Sequence, residues 1–139
     1  MQHPKVRSYR DLLVWQRAID LVEAVYHATE SFPKHEIYGL TAQLRRAAVS
    51  IPSNIAEGHG RLGPREYLHH LSIANGSLME VETQVVVARR LGYLTDEVET
   101  MLYVRTAEIG RMAAGLIRAL QARTTRGSGA IPHSLTPDP

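Results

Sequence analysis

Between Tyr9 and Ser31 the apolar residues recur at alternating three- and four-residue steps, and they do so twice over. Leu12, Trp15, Ile19, Val22 and Tyr26 form one stripe; Val14, Ala18, Leu21, Val25 and Ala28 form the other. At about 100° per residue the two cover roughly 200° of a helix surface, leaving Gln16, Asp20, Glu23, His27 and Glu30 opposite. This predicts a helix over about 9–31. A helix packed only on its own bundle needs an apolar stripe somewhat wider than about 100°. The surplus predicts a second buried contact, for which another subunit is the simplest candidate.

The run SFPKHE interrupts the pattern, and a second helix is expected over about 36–59, with Ile37, Leu40, Leu44, Ala47, Ala48, Ile51 and Ile55 on its apolar side. A third is expected over about 64–91. It opens at Pro64, a residue suited to the first helical position, and carries Tyr67, Leu71, Ala74, Leu78, Val81, Val85 and Ala88. Gly92 can take the left-handed conformation that closes it. A fourth, over about 95–122, starts with Thr95 as cap and with Asp96 and Glu97 near its positive end. Its apolar residues are Val98, Leu102, Ile109, Met112, Leu116 and Ala119. No stretch alternates as a strand does. Residues 1–8 read as an N-terminal arm, 9–122 as one bundle, and 123–139, rich in Gly, Pro, Ser and Thr, as a disordered tail.

Short connections between helices of similar length favour antiparallel neighbours, so the expected fold is all-α, an up-down-up-down four-helix bundle. Reflection about the third turn sets Glu82 opposite Arg105, which interrupts an apolar stripe. Arg105 then either pairs with Glu82 or carries its charge to solvent along its stem. Reflection about the first turn sets Trp15 level with Pro52. A proline in a helix interior removes a backbone hydrogen bond and costs about 3 kcal/mol or more. Ile55 nevertheless continues the apolar phase of Leu44 and Ile51, so the second helix is expected to kink at Pro52 and continue. The indole is expected against that kink, with Ala47, Ala48, Ser50, Ser53 and Ala56 allowing close approach. The carbonyl freed at Ala48 needs water or a polar side chain of another helix.

Composition narrows the function. A chain of 139 residues, 44% hydrophobic and 22% charged, is one ordinary globular domain. It has no cysteine, which excludes disulfide and thiolate chemistry and fits a reducing compartment. No apolar run approaches the roughly 20 residues of a membrane span, and the first residues lack a signal-peptide core. A cytoplasmic protein with no membrane association is expected. The net charge is only +2, but lysine occurs only at Lys5 and Lys34, and every other cation is arginine. An arginine-favouring genome explains that more simply than selection for phosphate. The composition permits a nucleic-acid partner without demanding one.

Candidate chemistry is sparse. GHGRLG, Gly58 to Gly63, matches the dinucleotide fingerprint in letters, but that loop needs a strand before it and here a helix precedes it. Arg61 and Arg65 flank the start of the third helix, whose free amides favour an anion; an ordinary interhelical loop is the better reading. The histidines form no metal set, since His69 and His70 are adjacent and diverge on a helix. Ser50, Ser53 and Ser77 lack a base, and Glu80 and Glu82 face different ways. Nothing assembles a catalytic constellation, so neither an enzyme nor a cofactor is expected. There remain the arginines Arg45, Arg46, Arg61, Arg65, Arg89 and Arg90. On one monomer they make a weak nucleic-acid surface; repeated around an oligomer they make a substantial field. Arg46, Ser50, Ser53 and Glu57 share a polar strip, along which Glu57 can neutralise a basic residue.

The run RRAAVSIPSNIAEGHGR, Arg45 to Arg61, resembles the signature of the 23S ribosomal RNA intervening-sequence proteins, also called the four-helix-bundle protein family. The likeness extends to YRDLLVWQRAIDLVEAVY and to LSIANGSLMEVETQVVVARRLGYL, about Val6 to Leu120 in all. His59 and the Gly/Pro-rich tail depart from it. Within the signature Pro52, Ser53, Asn54 and Glu57 read as structural. The resemblance implies antiparallel bundles assembled into ring-shaped homopentamers. Such proteins also look like the accessory protein of diversity-generating retroelements, a basic pentameric barrel that binds nucleic acid and a reverse transcriptase. Two functions follow as expectations: an RNA- or DNA-binding pentamer, or a scaffold that presents apolar grooves to a protein partner.

Overall fold

The structure, a computed structural model, describes residues 6–127. Four helices make up most of them: α1, Leu13–Thr29; α2, Leu40–His59; α3, Pro64–Arg90; and α4, Asp96–Gly127. Short 3-10 turns occupy Tyr9–Asp11 and Lys34–Glu36, and there is no strand among the described residues. Each helix packs on the two that flank it, and the backbones of neither diagonal pair approach within 8 Å, so the four stand at the corners of a square. Ser50 meets Ser77 at 2.7 Å, whereas Gly58, further along α2, abuts Tyr67 and His70. Likewise Glu82 meets Thr106 at 2.8 Å, and Gly110 lies against the earlier Leu78. In both pairs the partner's number falls as the other rises, so α3 runs back along α2 and α4 back along α3.

The apolar periodicity fills the centre of the square. Leu21 and Val25 of α1, Leu44, Ile51 and Ile55 of α2, Leu71, Leu78 and Val81 of α3, and Leu102, Ile109 and Leu120 of α4 are buried together. The α1 stripe that contains Trp15 is treated differently. Trp15, Ile19 and Val22 are half-buried, and Tyr26 is 41% exposed. The surplus apolar surface therefore remains partly open.

Capping shifts the helix ends from those expected. Ser8 and Asp11 form a capping box around the turn Tyr9–Asp11, and Leu12 is extended, so α1 starts at Leu13 and not at Tyr9. The α2 helix begins at Leu40 because the Glu36 carboxylate accepts the Leu40 N–H at 3.1 Å and is itself held by the Tyr93 hydroxyl at 2.8 Å. Gly39 makes room for this: a Cβ there would stand 2.7 Å from the Glu36 Oε1. Ile37 consequently lies before the helix, 54% exposed, and not on its buried side. At the end of α3, Gly92 has φ 82°, the Tyr93 N–H reaches the Ala88 carbonyl and the Gly92 N–H reaches that of Arg89. That is the double bond of a left-handed glycine cap. Thr95 Oγ1 accepts the Val98 N–H at 3.2 Å and caps α4. The α4 helix then runs to Gly127, past the expected end at Ala122, with the Thr125 hydroxyl bonded back to the Gln121 carbonyl. The rest of the expected tail, and the first five residues of the expected arm, lie outside the described residues.

The α2 helix continues through the buried Pro52 without interruption. Arg45 reaches Thr29, and that register places Pro52 level with Val22, not with Trp15. The later start of α2 lengthens the first connection and moves the level. The Trp15 ring is met edge-on by Tyr9, with centroids 5.3 Å apart. The third turn also differs by one residue from the expected register. Glu82 accepts from Thr106, and no Glu82–Arg105 ion pair forms. Thr106 takes the buried position on the stripe between Leu102 and Ile109, while the Arg105 Nε turns to the Met101 sulfur at 3.3 Å.

Candidate nucleic-acid interface

The six candidate arginines do not form one surface. Arg45 and Arg46 lie within α2, Arg89 and Arg90 end α3, and Arg61 and Arg65 flank the α2–α3 turn at the other end of that helix. Three of them are occupied. Arg45 donates from Nε to Thr29 Oγ1 at 2.8 Å and lies 4.5 Å over the Tyr26 ring. Arg61 pairs with Glu57 at 2.7 Å and lies 4.0 Å from Glu66, and Arg89 donates to Asp96 at 2.6 Å. Arg46, Arg65 and Arg90 are exposed, with no carboxylate partner among the described residues.

What gathers cations is the end of the bundle at the α2–α3 turn. The Glu82–Thr106 register, carried to the helix ends, brings Arg65 level with Arg123 and His70 level with Arg118. The Arg17–Glu108 contact of 3.3 Å sets α1 along α4, so the chain just before α1 reaches the same end. Arg7, Arg10, Arg61, Arg65, Arg118, Arg123 and Arg126 belong there, against Asp11, Glu57 and Glu66. Two of those carboxylates are already engaged. Backbone N–H groups of Arg7 and Ser8 hold the Asp11 carboxyl below its ordinary range, and the Arg61 hydrogen bond does the same for Glu57. At the opposite end Glu30, Glu36, Asp96, Glu97 and Glu99 are balanced by Lys34, Arg45, Arg46, Arg89 and Arg90. A nearly neutral chain is thus basic at one end and balanced at the other. The arginines of α4 were not among the sequence candidates: Arg123 and Arg126 lie past the expected end of the fourth helix, and Arg118, inside it, has no arginine beside it. Extending its antiparallel register was the signal that would have found them.

The signature in α2 supports this end. The Ser77 hydroxyl donates to Ser50 Oγ at 2.7 Å; Asn54 Nδ2 donates to the Ser50 carbonyl at 2.9 Å and to its hydroxyl at 3.0 Å. Asn54 Oδ1 lies 3.2 Å from His70 Nδ1, and His70 Nε2 lies 3.9 Å from Glu57. This polar seam fixes α2 against α3 in one register, since buried polar groups lose several kcal/mol if their partners slide away. At its foot Gly58 lets the backbones close up: a Cβ there would stand 2.8 Å from His70 Cβ. The end of α2 and the start of α3, which flank the turn carrying Arg61 and Arg65, are therefore held in one register. Ser53 faces solvent outside the seam. Tyr67, edge-on to His59 at 5.7 Å, walls the turn, and burial raises its phenol above the ordinary value.

GHGRLG joins two helices, Gly63 takes φ 91°, and Pro64 opens α3 directly after it. Among the described residues no three His, Asp or Glu side chains group as a metal site. No described helix is long and apolar enough to cross a membrane. The family described as 23S rRNA-intervening sequence protein matches the chain over residues 10–115. No curated protein matches it.

Proposed function

The chain belongs to the 23S rRNA-intervening sequence protein family, and from that premise we propose that it is a non-enzymatic, oligomeric protein that binds RNA or DNA through its basic end. The observation that carries this is the asymmetry of charge along the bundle: Arg65, Arg118, Arg123 and Arg126 share one end without ion-pair partners among the described residues, while the cations of the far end are matched by as many carboxylates. Guanidinium groups suit phosphate, and each one that neutralises a phosphate releases a bound counterion. One monomer offers too few for tight binding. An oligomer that repeats the same end, such as the pentameric ring the resemblance implies, multiplies the field. The half-buried stripe of α1 supports assembly, because a lone monomer gains nothing by leaving it open.

Anisotropy titration of a fluorescein-labelled structured RNA at about 50 mM and about 200 mM salt tests the reading. Binding that weakens steeply between the two is expected. Absence of binding at the lower salt, or binding indifferent to salt, removes nucleic acid from the account. The protein is then better read as an apolar scaffold, for which the partly open stripe of Trp15, Ile19, Val22 and Tyr26 on α1 is the favouring observation.

A further inference from the structure

We propose that the cleft between α2 and α3, beside the Ser50–Ser77 contact, binds a small free α-amino acid, with Arg46 holding its carboxylate and Glu80 its ammonium. The cleft lies away from the basic end, and its ligand depends on neither nucleic acid nor assembly.

The cleft, of about 270 Å³, is lined by Gln43, Arg46 and Ser50 of α2 and by Ser77, Glu80 and Gln84 of α3. The register that joins Ser50 to Ser77 at 2.7 Å sets Gln43 level with Gln84 and brings Arg46 close to the level of Glu80. Between them the buried Ala47 is too small to fill the space. Among the described residues neither Arg46 nor Glu80 has an ion-pair partner, and no bond joins the two. Gln84 makes no hydrogen bond through its amide, whose oxygen is also shut from water. Polar atoms so placed normally have a partner. A half-turn of the terminal torsion, which is broad and roughly two-fold, exchanges that oxygen with the nitrogen. Ser50 Oγ accepts from both Ser77 and Asn54, which leaves its own proton to give.

These groups match a zwitterion. The Arg46 guanidinium takes a carboxylate through two parallel N–H donors, and Ser50, one turn further along α2, adds a third donor. Glu80 takes the ammonium. Gln84, four residues on along the same face of α3, supplies the second acceptor once its amide has turned. A ligand with one charge is opposed by either Glu80 or Arg46, whereas a ligand with both is held twice. An exposed arginine and glutamate gain little by closing on each other, so the ligand gives up no strong ion pair on entry. The small cleft and its alanine floor favour an amino acid with a short side chain.

Saturation-transfer NMR on the full chain, titrated with l-alanine and read on the ligand signals, tests this. Two analogues serve as controls: l-alaninamide, which keeps the ammonium and lacks the carboxylate, and N-acetyl-l-alanine, which keeps the carboxylate and lacks the ammonium. The samples are wild type, Arg46→Ala, Glu80→Gln and, as an exposed arginine outside the cleft, Arg90→Ala, each checked for unchanged helical circular dichroism. Wild type and Arg90→Ala are expected to bind l-alanine with a Kd of about 1 mM or tighter. Arg46→Ala and Glu80→Gln are each expected to weaken binding by about tenfold or more, and each analogue to bind wild type about tenfold more weakly than l-alanine does. No saturable binding of l-alanine by wild type up to about 10 mM overturns the proposal. So does an analogue that binds as tightly as l-alanine, or a cleft variant that binds it as wild type does.

Discussion

Gly58 and Gly76 both sit inside long helices, yet the structure predicts opposite outcomes for their replacement by alanine. Alanine in a helix interior is favoured over glycine by about 1 kcal/mol, chiefly because the unfolded chain loses freedom. At Gly76 a Cβ meets nothing within 4 Å, so Gly76→Ala should realise that gain, about 0.5–1 kcal/mol of added stability. At Gly58 the same Cβ would stand 2.8 Å from His70 Cβ and 3.0 Å from the Tyr67 ring. Neither is the loose end of a long side chain, since both are attached close to the α3 backbone. Forcing α2 and α3 apart there costs about 1–3 kcal/mol, which the helix gain offsets only in part. Gly58→Ala should therefore lie about 1–3 kcal/mol below Gly76→Ala. Urea unfolding followed by circular dichroism, at one fixed protein concentration, reads this difference directly. If Gly58→Ala is as stable as Gly76→Ala, the two helices do not approach as described beside the α2–α3 turn.

Three further outcomes follow from the same contacts. Asn54→Ala strips partners from Ser50 and from His70 Nδ1 in the half-buried seam, and should cost about 1–3 kcal/mol in a thermal or urea melt; no loss would show the seam to be incidental. Arg45→Lys keeps the charge but loses the Nε bond to Thr29 and the guanidinium contact over the Tyr26 ring. It should lower stability by about 1 kcal/mol without changing the net charge. The Glu36 carboxyl is held low, first by the Leu40 N–H and then by the Tyr93 hydroxyl. A carboxyl depressed in the folded state contributes stability that is present above the unfolded pKa and is lost as pH falls through the folded one. Melting temperature should thus decline below about pH 4.3, and Glu36→Gln should decline less steeply.

Helix identity was legible because the apolar steps of each segment are regular, and Pro64, Gly92 and Thr95 punctuate them with local chemistry. The boundaries were lost where a distant group decides. The start of α2 depends on Glu36, which Tyr93 holds from the far side of the chain, and no local pattern announces that. The register errors have the same origin. A turn whose length is misjudged by a few residues moves Trp15 away from Pro52, and one residue suffices to exchange Arg105 for Thr106 beside Glu82. The candidate interface was half legible. Arg61 and Arg65 are neighbours in sequence and at the basic end, but Arg118, Arg123 and Arg126 reach them only because α4 returns along α3 and continues to Gly127. Adjacent arginines proved a poor guide: in each of the doublets 45–46 and 89–90 one member is engaged within the bundle and the other is exposed.

The claim that nucleic acid is bound at one end of the bundle is tested most directly by removing charge from each end in turn. Arg65→Ala/Arg123→Ala and Arg89→Ala/Arg90→Ala take the same charge from the chain, and the titration with labelled RNA at low salt compares them at matched oligomeric mass. The account predicts that the first pair weakens binding by about tenfold or more and flattens its dependence on salt, while the second leaves both close to wild type. Equal losses from the two pairs, or a larger loss from Arg89 and Arg90, would contradict it.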